Sequence, residues 1–334
     1  MSRIQSKIAA LWYRKNFLVW LLLPMTLLFA AISYGRRLAY RLGLCRAYRA
    51  AVPVIVVGNL SVGGNGKTPV VIWLVEQLKA AGWKPGVVSR GYGGKSDTYP
   101  LRVTAHTEAT ECGDEPKLIA ERCQVPVVVA PKRAAAVETL LQSGEVDLVI
   151  SDDGLQHYAL ARDIELVVVD GERRFGNGHL LPMGPLREGL ARLATVDAVI
   201  CNGGVAQPGE FAMQLVPAPL VALVDSDALP PQSTETVDAL AGIGHPPRFF
   251  ATLQQAGFRL HEAVAYADHQ SYDPEQLRRR FCERPLLMTQ KDAVKCRHFA
   301  LANWWYLPVN AELSPALATL IINKLKDAKN GTRS

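Results

Sequence analysis

Residues 61–68 combine Ser61, Gly63, Gly64, Asn65, Gly66, Lys67 and Thr68, and they follow an apolar run at 52–57. This order constrains the fold more than any other stretch, because it asks for a buried strand, a tight glycine turn and a helix start. The glycines let successive backbone N–H groups face one anion. Lys67 adds a point charge for outer phosphates, and Thr68 offers a hydroxyl to a magnesium ion. Pro69 suits a first helical turn, where its missing N–H has no partner to lose. Residues 70–79 continue as a helix-like stretch. Ser61 stands where such loops usually carry their first glycine. An ordinary glycine-rich strand–helix turn is the competing interpretation, but the flanking strand and helix favour a nucleoside triphosphate site.

The net charge of +6 is unevenly placed. The first 75 residues hold no Asp or Glu and ten basic residues: Arg3, Lys7, Arg14, Lys15, Arg36, Arg37, Arg41, Arg46, Arg49 and Lys67. The remainder is slightly acidic, so a general affinity for nucleic acid is not implied. The six cysteines show no CxxC spacing and no nearby histidine cluster, which argues against zinc and against a disulfide framework. Scattered thiols fit a reducing cytosol.

Residues 17–32 are apolar apart from Thr26, with Pro24 in the middle. As a helix they span roughly 24 Å at ~1.5 Å per residue, short of a ~30 Å hydrocarbon core. Basic residues flank both sides, whereas a spanning segment usually has its Lys/Arg excess on one side. The pattern favours a kinked helix or hairpin seated in the membrane interface, with arginines meeting anionic headgroups. A cleaved signal peptide, a single-pass helix and a buried structural helix are the other possibilities.

Farther on, apolar runs at 86–89, 125–130, 146–151, 164–170 and 196–201 read as strands. Stretches at 76–81, 116–122 and 134–142 read as helices. Apolar runs without alternation indicate strands covered on both faces. The fold class is therefore α/β, with a mostly parallel phosphate-loop sheet. A patch at 202–210 reads as a boundary, and 220–224, 238–243, 249–255, 286–289 and 305–307 suggest a second, smaller α/β unit. The expected division is a basic, apolar membrane segment at 1–50, a nucleotide domain at 51–205 and a smaller domain at 206–330. The tail at 330–334 is expected to fray.

Polar motifs sit at predicted strand ends, where open α/β sheets bind ligands. Asp152 and Asp153 end the run at 146–151 and can face a metal; a capping turn before Gly154 is the alternative. Asp114 and Glu115 precede a helix, either as dipole-friendly capping acids or as a base and a metal ligand. Arg90 and Tyr92 lie in a glycine-rich loop and can grip phosphate and sugar. Arg187 follows Gly184 and Pro185 in a turn, where it can bridge phosphate oxygens or simply be solvated. His269 beside Asp268 alone reads as a surface turn. Lys291 and Lys295 suggest an anion site or a solvated helix start, and Gln290 breaks the guanine-reading order.

Taken together, these residues resemble the tetraacyldisaccharide 4′-kinase family, the lipid A 4′-kinases of Gram-negative bacteria. The matching motifs are Val57-Gly58-Asn59-Leu60, Gly63-Gly64-Asn65-Gly66-Lys67-Thr68-Pro69, Ser89-Arg90-Gly91-Tyr92-Gly93 and Gly113-Asp114-Glu115-Pro116. They continue with Asp152-Asp153-Gly154-Leu155-Gln156-His157, Gly184-Pro185-Leu186-Arg187-Glu188, Gly242-Ile243-Gly244, Asp268-His269 and 289–295. Ser61 is ordinary for that family. The resemblance implies ATP-dependent phosphorylation of the 4′-hydroxyl of a tetraacylated glucosamine disaccharide 1-phosphate. It places the protein on the cytosolic face of the inner membrane, with membrane lipid as neighbour and no obligate protein partner.

By position, the resemblance implies that the 61–68 loop binds ATP and that Thr68, Glu115, Asp152 and Asp153 form the Mg2+ shell. It implies Asp114 as base, paired with His269, with Lys67 and Arg187 on phosphate. Arg90, Tyr92, Gln156 and His157 become substrate contacts. Many members carry a second histidine where this chain has Gln270. A membrane-bound nucleotide switch or ATPase acting on a protein partner accounts for the loop and the apolar start. It gives no reason for Asp114, His269 or the Arg90–Tyr92 loop. A non-catalytic membrane scaffold is the weakest alternative.

Overall fold

The computed structural model describes residues 11–13, 17–225 and 227–331. Arg3, Lys7, Arg14 and Lys15 of the basic start, and 332–334 of the tail, lie outside the described residues.

Eight strands come first: β1 (Val54–Gly58), β2 (Pro85–Ser89), β3 (Leu101–Val103), β4 (Val127–Val129), β5 (Leu148–Asp152), β6 (Ile164–Asp170), β7 (Ala198–Asn202) and β8 (Glu210–Pro217). Five follow: β9 (Val221–Ala222), β10 (Thr236–Ala241), β11 (Arg259–Ala265), β12 (Leu286–Thr289) and β13 (Trp304–Leu307), and β14 (Val309–Leu313) closes the series. A nine-stranded sheet has the order β14-β8-β7-β6-β1-β5-β2-β4-β3, and a five-stranded sheet has the order β11-β10-β12-β13-β9. Pairing is parallel except at β3–β4, β8–β14 and β9–β13. The α/β class and the mostly parallel sheet stand as expected. The central strands are wholly buried because helices cover both faces, which is why their sequences do not alternate.

The helices, in chain order, are α1 (Leu23–Arg41), α2 (Lys67–Ala80), α3 (Ala109–Cys112), α4 (Asp114–Cys123), α5 (Arg133–Leu141), α6 (Pro246–Gln255), α7 (Pro274–Arg280), α8 (Gln290–Cys296) and α9 (Pro315–Gly331). Seven of the fourteen residues of α2 are buried, from Val70 to Leu78. A helix apolar on nearly all sides is one enclosed on nearly all sides. α2 packs between the large sheet and α9, which anchors the phosphate-loop end of the helix to the core.

The expected division at 205/206 is corrected by the sheet order. β8 and β14 pair antiparallel at the edge of the large sheet, and α9 packs against α2. The five-stranded unit is thus held between β8 and β14, and the chain returns to the large sheet after it. The patch at 202–210 is a turn between β7 and β8, two strands of one sheet. Turn residues report a change of direction but not which sheet the next strand joins.

Of the two forms expected for the N-terminal segment, a kinked helix or a hairpin, the hairpin is not formed. A 3-10 stretch, Phe17–Leu22, runs into α1, giving one 25-residue helix, apolar in its first part and carrying Arg36, Arg37 and Arg41 in its last, rather than a hairpin. Its length is roughly 40 Å at ~1.5 Å per α-helical and ~2.0 Å per 3-10 residue, longer than a ~30 Å hydrocarbon core. The sequence estimate fell short because helix continues past Ile32 through Arg36 and Arg37. Val19, Thr26, Ser33 and Tyr40, seven residues apart, form a stripe against the large domain. Val19 and Thr26 are buried, and Thr26 Oγ1 accepts from Met183 N. Ser33 Oγ reaches Arg187 O, and the Tyr40 ring meets Tyr158. Phe17, Leu21, Met25, Leu27, Leu28 and Ile32 remain largely exposed. The segment is therefore not a core helix.

Candidate functional site

The site lies beyond the carboxyl ends of β1, β2, β5, β6 and β7, where a parallel sheet leaves helix N-termini and loops open to a ligand. β1 leads into the glycine loop, and α2 begins at Lys67. Gly63 and Gly66 have φ of 107° and 90°, a region that side chains disfavour. Ser61 Oγ accepts a hydrogen bond of 2.9 Å from Asn65 Nδ2, and Asn202 Nδ2 donates to Asn65 O at 3.0 Å. The serine in place of a first glycine is thus a brace for the loop. A Cβ on Gly66 would collide with the Asn202 amide.

The segment carrying Arg187 is tied to the loop's base. Arg187 N donates to Leu60 O at 2.7 Å, and Val62 N donates to Pro185 O at 2.9 Å. Arg187 Nη1 then lies 3.3 Å from Asp153 Oδ2, and Lys67 Nζ lies 3.4 Å from Asp153 Oδ1. Burial opposes ionisation of Asp153, but Lys67 and Arg187 outweigh it and hold the carboxyl down to about 2. Asp153 itself sits at φ 45°.

Asp152, one residue earlier, behaves oppositely. It is 1 % exposed, and burial, Glu115 and Asp153 push its carboxyl up to about 7. Arg133, the first residue of α5, supports it from behind by donating to Asp152 O at 2.9 Å. Burial holds that guanidinium down to about 10. Sequence reasoning missed Arg133; its position opening a helix after β4 is the only signal it left.

From the smaller sheet, the loop after β11 delivers Asp268 and His269. His269 adopts φ 61°, a strained setting for a non-glycine residue. Its Nδ1 is 3.3 Å from Asp114 Oδ2 on α4. The two atoms are misaligned for a hydrogen bond, and both are buried without a partner. Tyr92 covers the histidine, ring centroids 5.0 Å apart, edge to face. The Arg90–Gly94 loop is packed rather than free: Gly94 lies so close to Glu111 O and Gly113 N that a Cβ would stand 2.5 Å from each.

Lys291, on α8, is the largest omission from the expected site. Its Nζ donates to Glu115 Oε1 at 3.0 Å and Asp268 Oδ1 at 2.9 Å, and lies 3.3 Å from His269 Nε2. Burial opposes its charge, but Glu115 and Asp268 prevail and raise its pKa. Burial likewise opposes Glu115, and Lys291 with Lys67 holds its carboxyl below the usual range. Of the two readings of residues 289–295, an anion site or a solvated helix start, the second does not fit, because the Lys291 and Lys295 side chains are mostly buried against the protein's own carboxylates.

The expected magnesium donors do not form one cluster. Among the described residues no three His, Cys, Asp or Glu side chains converge as a metal set. Glu115 is engaged by Lys291, and Asp153 by Lys67 and Arg187. The donor chemistry nonetheless suits a hard cation: oxygen donors only, and a buried Asp152 repelled by two neighbouring acids. Gln156 is spent internally, donating to Asn59 O and Glu188 Oε1 and accepting from Arg187. Burial, Arg133 and Arg90 push His157 down to about 4, so it is neutral at pH 7.

Between the two sheets a cleft of about 260 Å³ runs from the glycine loop to α6. Thr68, Glu115 and Lys291 line its polar end, and Ile72, Leu118 and Phe249 its apolar wall. Gly244 of the smaller unit touches the loop at Gly64.

A family model described as tetraacyldisaccharide-1-P 4′-kinase matches residues 18–326. A protein of Aeromonas salmonicida named tetraacyldisaccharide 4′-kinase is 64% identical over 319 residues, covering 94% of this chain and 95% of its own length. One of the same name from Tolumonas auensis is 57% identical, covering 97% and 99%. The crystal structure of LpxK from Aquifex aeolicus, an "apo" form in complex with ATP, superposes with a TM-score of 0.76 at 28% identity. The match covers 92% of this chain and all of that one.

Proposed function

The chain belongs to the tetraacyldisaccharide-1-P 4′-kinase family, and on that premise we propose that Asp114 and His269 activate the acceptor hydroxyl. The reaction breaks the bond between the terminal phosphorus of ATP and its bridging oxygen. It forms a bond from that phosphorus to the 4′-oxygen of a tetraacylated disaccharide 1-phosphate. The hydroxyl proton passes to Asp114, and ADP leaves. The observation that carries this reading is the pair itself: a carboxylate from α4 and a histidine from the other sheet, 3.3 Å apart, whose facing atoms Oδ2 and Nδ1 have no hydrogen bond, beside a phosphate loop.

Phosphoryl transfer needs alignment and charge neutralisation more than covalent chemistry. Lys67 and Arg187 supply positive charge at the loop, and the backbone N–H groups of residues 63–68 cradle the phosphates. Thr68, Asp152, Glu115 and Asp153 are the residues that would hold magnesium, which neutralises phosphate charge when bound. This reading assigns Arg90 and Tyr92 to the acceptor side, and the Tyr92 ring packs edge to face on His269. Because His269 comes from the second sheet, catalysis depends on the two units being together.

The α1 helix gives the reason for a membrane site. Its docked stripe lies beside Arg187 and Gln156, since Arg36 Nη2 donates to Gln156 O at 2.6 Å. Its exposed apolar side supports seating in the cytosolic leaflet, where acyl chains need not be fully extracted. Among the described arginines of the basic start, Arg36, Arg37 and Arg49 bond to Gln156, Thr195 and Asp163, and Arg41 and Arg46 are the ones this reading assigns to headgroups.

The test is transfer of radiolabelled terminal phosphate from ATP to the extracted disaccharide lipid by purified protein with magnesium. Label in the lipid is expected, and its loss in Lys67→Ala. Unlabelled lipid alongside protein-stimulated hydrolysis would support the nucleotide-switch alternative instead.

A further inference from the structure

α8 carries Lys291 and Lys295 one turn apart, and α4 opens with Asp114 and Glu115. The two pairs face each other across the sheets: Lys291 Nζ is 3.0 Å from Glu115 Oε1, and Lys295 Nζ is 3.9 Å from Asp114 Oδ2. Lys295 is not free to wander. Its Nζ pairs with Asp292 Oδ1 at 3.0 Å, donates to Tyr272 Oη at 3.2 Å, and stands 4.3 Å over the Tyr272 ring. Asp292 is wholly buried and fully used. Its Oδ1 also accepts from Tyr272 Oη at 2.6 Å, while Oδ2 accepts from Thr289 Oγ1 at 2.6 Å and from Gly242 N at 2.9 Å. Gly242 begins the loop whose Gly244 abuts Gly64 of the phosphate loop. One buried carboxylate therefore fixes both the strut beneath Asp114 and the loop that meets the phosphate cradle.

We propose that Lys295, held by Asp292 and Tyr272, is a positioning residue that sets the orientation of Asp114 when the smaller unit sits on the phosphate loop. Asp114 Oδ2 has no hydrogen bond of its own, so its direction is set by the charges around it. His269 Nδ1 lies 3.3 Å from that oxygen and Lys295 Nζ 3.9 Å, and both belong to the smaller unit. A carboxylate steered in this way presents a fixed geometry to a sugar hydroxyl, and small misplacements of a base are costly. The inference rests on Asp114 being the base.

The experiment is a double-mutant cycle in the full chain, with ATP, magnesium and the disaccharide lipid. Lys295→Met is expected to lower kcat roughly ten- to a hundredfold with little change in the KM for ATP, as for a misplaced group. Lys295→Arg should restore much of the loss. In an Asp114→Asn background the same Lys295→Met change should cost almost nothing, because both act through one carboxylate. Losses that multiply across the two sites would overturn the proposal. An Asp114→Asn variant with full activity would instead remove the base assignment beneath it. Removing Lys295 leaves Asp292 buried without its cation, so Tyr272→Phe serves as the milder probe. It should show a smaller kcat loss that again vanishes in the Asp114→Asn background, and persistence there would count against the proposal.

Discussion

Lys67 Nζ lies 3.4 Å from Asp153 Oδ1, so the lysine of the phosphate loop is paired with a carboxylate at the end of β5. Asp153 is about one-third exposed, so solvent screens the pair and its contribution to stability is small. The sign is clear. A carboxyl held down to about 2 stabilises the fold above its ordinary value, and that stability is lost as pH falls through the folded value. In Lys67→Ala the acid-unfolding midpoint should move to higher pH, read by circular dichroism, and nucleotide binding should disappear from calorimetry.

Asp152 has the opposite linkage. Its carboxyl is raised to about 7, so ionising it destabilises the metal-free fold progressively between its ordinary value of 3.8 and pH 7. Asp152→Asn should melt several degrees higher than the parent at pH 8 without magnesium, and the difference should shrink at pH 4. The same variant should lose most of its activity, a trade between stability and function. An unchanged melting temperature at pH 8 would show that Asp152 is not strained by its neighbours.

His269 and Asp114 meet only across the two sheets. His269→Ala and Asp114→Asn should each lower kcat by roughly 10²–10⁴-fold, the range for a lost acid–base group, with ATP affinity nearly unchanged. Isothermal titration with nucleotide separates the two effects. A matching loss of nucleotide binding would mean that the pair shapes the cleft rather than serving the reaction.

Gly66 combines φ of 90° with an Asn202 amide in the space a Cβ would fill. Gly66→Ala should displace Asn202 or distort the loop, raising the KM for ATP at least tenfold. Asn202→Ala, which removes the bond to Asn65 O, should weaken nucleotide binding less. It should also partly relieve Gly66→Ala when the two are combined.

The exposed apolar side of α1 should govern membrane binding. Replacing Leu21, Leu27 and Leu28 with Ser should abolish co-flotation with anionic liposomes, since each buried leucine contributes about 1.5–3 kcal/mol. Activity on a detergent-dispersed, short-chain acceptor should persist. Flotation of the triple variant at parental levels would place the membrane contact elsewhere.

The local signals in this chain were strong where one segment does one job. The glycines and Lys67 specify a phosphate loop because backbone conformation and charge are local properties, and the uniform apolar runs of β1, β5 and β6 report strands covered on both faces. The family motifs carried Asp114, Arg187 and His269 in order along the chain. Other features depend on what a segment meets after folding. Nothing local to 309–313 says that β14 returns to β8, and nothing in 202–210 says that the turn stays within one sheet. Helix α1 looked too short to cross a bilayer because hydropathy stops at Ile32 while helical structure does not.

By its sequence alone this protein was determined to be an α/β phosphate-loop chain with a basic, apolar start, since glycine turns, helix starts and hydrophobic runs are read from adjacent residues. Only the tertiary structure decided that Lys291 grips Glu115 and Asp268, that Arg133 lies behind Asp152, and that Lys295 stands beneath Asp114. Coulombic partners are set by distance in space, and residues 176 or 181 positions apart become neighbours only when the second sheet closes onto the first.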